Sequence, residues 1–122
     1  MILVDTSIWV DHIHKPDREL ENLLRMRQVM THPFVMGEVA LSSFPGRTGL
    51  LDYLSALRRV RTAADAEVLQ LIEDWQLWGT GIGYMDAHLL ASVLLTPTTR
   101  LWTRDKRLKT VAEQLSLDAK LR

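Results

Sequence analysis

Two short apolar runs, Met1–Val4 and Leu101–Thr103, stop at or within two residues of an aspartate, Asp5 and Asp105. Runs of this length, bounded by polar residues, read as buried strands rather than helices. In a parallel sheet the carboxyl ends of the strands share one edge, and in open α/β folds ligands and catalytic groups gather there. Two further acids stand where a helix begins or runs: Glu38 within the apolar stretch Phe34–Leu41, and Asp86 just after a glycine loop. Acids so placed can converge in space while far apart in sequence. If they do, they form a pocket for divalent cations, and cations held by carboxylates point to phosphate chemistry.

The spaces between these acids read mostly as helices. Thr6 and Ser7 offer hydroxyl caps to a helix carrying Ile8, Trp9 and Ile13, which ends near Lys15-Pro16. Asp17 caps a second helix with Leu20, Leu23 and Leu24 on one face. Gln28 to Thr31 reads as a weak strand, and Pro33 suits the first turn of the helix that carries Glu38. Pro45-Gly46 breaks that helix, and Leu50, Leu54 and Leu57 recur at helical spacing, so residues 47 to 60 read as helix throughout. Asp65 to Leu77 is amphipathic. Gly79, Gly81 and Gly83 then lead into Tyr84-Met85-Asp86 and a strongly apolar helix to Leu95. Thr99 to Thr103 is the second clear strand, Lys106 to Gln114 the last helix, and 117 to 121 a short edge strand. The expectation is one α/β domain over 1–122, with short parallel strands between many helices.

Composition narrows the function classes. Fifteen basic and fifteen acidic side chains cancel, which argues against coating nucleic acid by bulk charge, although Arg100, Arg104, Lys106, Arg107 and Lys109 crowd one stretch. Without cysteine there is no disulfide framework and no thiolate metal site. The first apolar run stops at Asp5, too early for a signal peptide, and no segment is long enough to span a membrane, so a soluble, cytoplasmic protein is expected.

Each acid also has a structural reading. Asp5 can cap the helix that follows, and Asp86 and Asp105 suit first turns through the helix dipole. Glu38 is harder to place in that way, since an unpaired carboxylate within an apolar stretch is costly to bury. Two carboxylates about 4 Å apart repel by about 4 kcal/mol at an effective dielectric of about 20, so a cluster of four needs a counter-charge. One divalent ion, or two, would supply it. Oxygen ligands without cysteine suit magnesium or manganese better than zinc. Other signals are weaker. Tyr84 occupies the last glycine position of a GxGxxG pattern and no GK[ST] follows, so the glycines read as a tight turn rather than a phosphate loop. His12, His14, His32 and His88 lack paired-ligand spacing, and Trp9, Trp75, Trp78 and Trp102 lie in apolar stripes that predict core packing. Tyr84 is placed to stack on a base.

The segments MILVDTSIWVDH, THPFVMGEVAL, GIGYMDAHLLAS and LWTRDKRL occur in this order, and together they resemble the PIN-domain proteins. More narrowly they resemble the VapC toxins of bacterial VapBC toxin–antitoxin pairs. The resemblance implies an α/β/α sandwich on a small parallel sheet and a magnesium- or manganese-dependent endoribonuclease. It implies metal-holding, catalytic roles for Asp5, Glu38, Asp86 and Asp105, with Ser7 and Thr103 as hydroxyls close to the metal. It further implies a homodimer, a VapB-type antitoxin whose tail fills the acidic groove, and RNA substrates such as transfer or ribosomal RNA. Arg104 and Lys106, beside Asp105, are candidate RNA contacts together with Tyr84. Two rivals stand beside this reading. A receiver-type phosphoacceptor needs an aspartate ending a central strand, whereas Asp52 lies within the helical leucine pattern of residues 47 to 60. A non-catalytic docking module would keep the fold and use the acids only as caps.

Overall fold

A computed structural model describes all of residues 1–122. Strand β1 (Ile2–Val4) leads into helix α1 (Thr6–His14) and α2 (Arg18–Arg25), then β2 (Val29–Thr31), α3 (Pro33–Ala40) and α4 (Arg47–Ala56). Strand β3 (Arg58–Arg59), α5 (Asp65–Trp75), α6 (Tyr84–Leu95), β4 (Arg100–Trp102) and α7 (Lys106–Gln114) complete the chain. The four strands form one parallel sheet in the order β3-β2-β1-β4, with Ile2 opposite both Val29 and Arg100. Helices flank it, giving the α/β/α sandwich expected of the sequence. No helix is long and apolar enough to cross a membrane.

Every strand of the sheet is short, with three residues in β1, β2 and β4 and two in β3. β1 pairs on both sides, and Leu3 and Val4 are wholly buried, as parallel strands covered on both faces require. Leu101 and Trp102 of β4, Trp9 of α1, Leu54 of α4 and Leu108 of α7 close over them. Helix α6 runs through the interior, buried without a break from Ala87 to Val93. At about 1.5–3 kcal/mol for each large apolar side chain taken out of water, this packing is the main stabilising term and holds the helix starts in register with the sheet.

Helix starts follow the sequence closely. Asp5, Asp17 and Asp105 are the caps of α1, α2 and α7, and Pro33 occupies the first turn of α3. His32 is the cap of α3, its Nδ1 accepting the Phe34 N–H at 3.0 Å, a role its neighbours in sequence did not announce.

Three expectations are corrected. The helix expected over 47 to 60 ends at Ala56, and Arg58–Arg59 is the edge strand β3. Two arginines carry no strand signal; pairing with Met30 and Thr31 makes them one. Trp75 and Trp78 are 51% and 61% exposed, because they lie at and beyond the end of α5, past the turns where Val68 and Leu71 are buried. Residues 117 to 121 contribute a single parallel bridge, Leu101 to Asp118, rather than a strand. Helix α3 turns Val35 and Val39 inward and leaves Glu38 on its open side, in keeping with the cost of burying a carboxylate.

Candidate active site

The sequence after β1 places Asp5 where strand becomes helix, and its two oxygens divide their work. Oδ1 accepts the Thr6 N–H at 2.8 Å and caps α1. Oδ2 accepts the Thr103 hydroxyl at 2.7 Å and the Ser7 hydroxyl at 3.0 Å. Asp5 is 7% exposed, and this buried carboxylate accepts from three donors. Ser7 and Thr103 thus touch the first acid directly. Ser7 Oγ also accepts the Arg104 N–H at 3.1 Å, and Thr103 Oγ1 accepts the Asp105 N–H at 3.1 Å, so the turn after β4 is stitched to the turn after β1.

The other acids face this point from different elements. Asp105 caps α7 by accepting the Leu108 N–H at 3.0 Å. Asp86, in the first turn of α6, accepts the Gly83 N–H at 3.0 Å. Glu38 reaches from α3 to accept the Thr6 hydroxyl at 3.0 Å. Three of the four acids therefore sit at helix N-termini, whose positive ends offset part of their mutual repulsion. The capping roles of Asp5 and Asp105 are thus seen directly, and Asp86 lies in the first turn of α6.

Electrostatics ties the four together. Partial burial raises the Glu38 carboxyl above its usual range, and the charges of Asp5 and Asp86 add to that, against the opposing Thr6 hydroxyl. Burial likewise raises Asp86, with Asp5 and Asp105 adding to it and the Gly83 N–H opposing. Glu38 thus feels Asp5 and Asp86, and Asp86 feels Asp5 and Asp105, which puts the four within electrostatic reach of a common point. The donors are carboxylates and hydroxyls alone, which suits a hard divalent cation. No three of the acids stand close enough together to clasp one ion as placed.

The surroundings add residues that the sequence did not single out. Thr6 orients Glu38. Asp65, opening α5, accepts the Tyr84 hydroxyl at 3.1 Å and lies 3.0 Å from His88 Nε2, and the Tyr84 and His88 rings meet edge to face. Tyr84 is thereby fixed beside Asp86 with nearly half its surface open. The glycine loop turns through positive φ at Gly79 and Gly81, and a Cβ on Gly81 would come within 2.7 Å of the Arg107 side chain lying across it. Lys106 is exposed at the start of α7. Arg104 is taken up elsewhere. It donates to Asp11 at 2.8 Å, to Asp17 at 2.6 Å and to the Arg122 carbonyl, and lies over the Trp102 ring, so it clamps α1 and α2 to the β4–α7 turn.

A small parallel sheet flanked by helices is the fold of a PIN domain, and residues 2–114 match that family; the chain belongs to it. Its similarity to particular members is also high. It is 47% identical over 109 residues to Ribonuclease VapC32 of Mycobacterium tuberculosis, in strain CDC 1551 / Oshkosh and equally in strain ATCC 25618 / H37Rv, an overlap covering 89% of this chain and 88% of the relative. Within the family, it is a VapC-like protein.

Proposed function

We propose that this protein is a divalent-metal-dependent endoribonuclease, the toxin of a toxin–antitoxin pair, working as a single PIN domain over residues 1–122. The observation that carries this reading is the hydrogen-bonded junction at the carboxyl edge of the sheet, where Thr103 and Ser7 hold Asp5, Thr103 also accepts the Asp105 N–H and Thr6 holds Glu38, with Asp86 close enough to feel the charges of Asp5 and Asp105. The ribonuclease name of its VapC relatives supports RNA as the substrate and a VapB-type antitoxin as the partner.

Asp5, Glu38, Asp86 and Asp105 would hold magnesium or manganese, with Asp5 pre-aimed by Ser7 and Thr103. Such an ion, when bound, supplies the charge that lets the acids sit together and the Lewis acidity that eases attack on a phosphodiester. The chain's own groups do the rest. Glu38, exposed and with a raised pKa, is suited to take the proton of the attacking water. Tyr84, anchored by Asp65, offers its open ring face to a base beside the scissile bond. Lys106 offers an ammonium to a neighbouring phosphate. Water adds to phosphorus and the bond to the 3′-oxygen breaks, leaving a 5′-phosphate and a 3′-hydroxyl. Action in the cytoplasm, assembly as a homodimer and transfer or ribosomal RNA as target complete the proposal.

The test is cleavage of total RNA by purified, partner-free protein with magnesium or manganese against EDTA, alongside Asp5→Asn and Asp86→Asn. Metal-dependent cuts with 5′-phosphate ends, lost in both variants, are expected. Products ending in 2′,3′-cyclic phosphate would overturn the water mechanism. No cuts, with no divalent binding by calorimetry, would leave a docking module whose acids serve as caps.

A further inference from the structure

The balanced net charge conceals an uneven distribution. Arg58, Arg59 and Arg61 follow one another along and just beyond the edge strand β3, all exposed. None of the three guanidinium groups is ion-paired or donates to a carbonyl, in contrast to Arg104, Arg47 and Arg100. They line a cleft of about 450 Å³ with Thr96, Thr98 and Thr99 of the turn that precedes β4, and no acidic residue lines it. The Arg61 N–H donates to Thr96 Oγ1 at 2.9 Å, fixing the third arginine's backbone against that turn. Arg59 is also among the charges felt by the buried His32, whose pKa is lowered to about 4 mainly by burial, then by His88 and by Arg59.

We propose that the Arg58–Arg59–Arg61 cleft is a second RNA contact, a docking site for the phosphodiester backbone a few nucleotides from the scissile bond. This rests on the ribonuclease reading above. The geometry suits a polyanion: Met1 and the 96–99 turn lie where β1 and β4 begin, the acids lie where those strands end, and the arginines stand on the edge strand two places from β1, so the two sites are at least a strand length apart, about 10 Å at about 3.3 Å per residue. Three cations lining one cleft without a counter-charge give it a positive potential that draws an anion. The lining favours nucleic acid over an antitoxin peptide. Guanidinium forks match phosphate oxygens and the threonine hydroxyls match sugar and phosphate, while Met1, Met30 and Val60 supply only a small apolar floor among three arginines and three threonines. An edge strand this short and charged also resists pairing with another chain, so the two roles are compatible.

The probe is fluorescently labelled total transfer RNA, titrated into Asp5→Asn protein so that the RNA survives, at a series of salt concentrations. A triple variant, Arg58→Gln/Arg59→Gln/Arg61→Gln, is compared with its Lys counterpart on the same background, and each is checked by thermal melt. The Gln variant is expected to lose about tenfold or more in affinity at low salt and to flatten the slope of log K against log salt by about two, since each single-strand phosphate contact contributes about 0.7. The Lys variant is expected to keep the slope. An unchanged slope in the Gln variant overturns the proposal. So does unchanged RNA binding with loss of binding to an acidic peptide, which would assign the cleft to a protein partner. Should the triple variant unfold, Arg59→Gln alone decides, with an expected slope change of about 0.7. Failure of the wild type to cut RNA would count against the ribonuclease reading, while the titration still decides whether the cleft binds RNA.

Discussion

Thr103 Oγ1 donates to Asp5 Oδ2 at 2.7 Å, joining the ends of two adjacent strands from residues 98 apart in the chain. The same hydroxyl oxygen accepts the Asp105 N–H, so one small side chain sets the position of two of the four acids.

Thr103→Val keeps the shape and removes both bonds. It is expected to cost about 1–3 kcal/mol, because Asp5 and the Asp105 N–H lose a buried partner. Ribonuclease activity or divalent affinity should fall by about 10–100-fold, as when the support of a metal ligand is removed. Thr103→Ser should restore most of both. Urea melts and metal titration of the three proteins check this, and equal metal affinity in wild type and the Val variant would refute the orienting role.

Glu38 and Asp86 should make the metal-free protein less stable as pH rises. Their folded pKa values lie above the ordinary ones of 4.5 and 3.8, so the folded state holds protons that the unfolded state has released. Their contribution is fully present below the ordinary values and is lost as pH climbs through the raised ones. Glu38→Gln and Asp86→Asn are therefore expected to melt a few degrees higher than wild type in EDTA at neutral pH, and to lose activity. Asn keeps an oxygen for the Gly83 N–H, so the start of α6 survives. Lower melting temperatures in EDTA would show that the carboxylates are paired and stabilising.

His32 works in the opposite sense. Wholly buried, its Nδ1 accepting from Phe34 and its Nε2 3.1 Å from Ser92 Oγ, it stays neutral until about pH 4, whereas the unfolded chain protonates it near 6.5. Stability tied to this residue is present above 6.5 and is lost as pH falls towards 4, by up to about 3 kcal/mol. His32→Asn, which keeps a cap acceptor, should flatten the fall in denaturation midpoint over that window. NMR titration of the His32 ring with a midpoint near 6.5 would contradict it.

Arg104→Ala should destabilise the chain by about 1–2 kcal/mol, since Asp17 is left partly buried without its partner. Burial works against the Asp17 charge, but Arg104 and the Leu20 N–H outweigh it and hold the carboxyl below its usual range. The Arg104–Asp17 contribution is therefore present at neutral pH and lost as pH falls through that lowered value. Arg104→Lys recovers little, as one ammonium cannot serve Asp11, Asp17 and the Arg122 carbonyl together. Denaturant melts of both variants at neutral and acid pH check this; equal stability of wild type and Ala would dismiss the clamp.

Local chemistry is why much of this protein was legible from its residues. An apolar run stopped by an acid marks a strand end, a hydroxyl or aspartate before a periodic stretch marks a helix start, and Asp5, Asp17 and Asp105 cap where those rules place them. The order of the four acidic segments carried the family and the sheet class. Tertiary contacts settled what no local rule could. Arg58–Arg59 is a strand because Met30 and Thr31 lie beside it, and Glu38 faces solvent because α3 has Val35 and Val39 to bury instead. Arg104 went to Asp11 and Asp17, carboxylates from a distant part of the chain, rather than staying free for phosphate. Sequence determines backbone propensity over a few residues at a time. The pairing of one charge with another depends on which segments the packed core brings together, and that is decided only when the chain has folded.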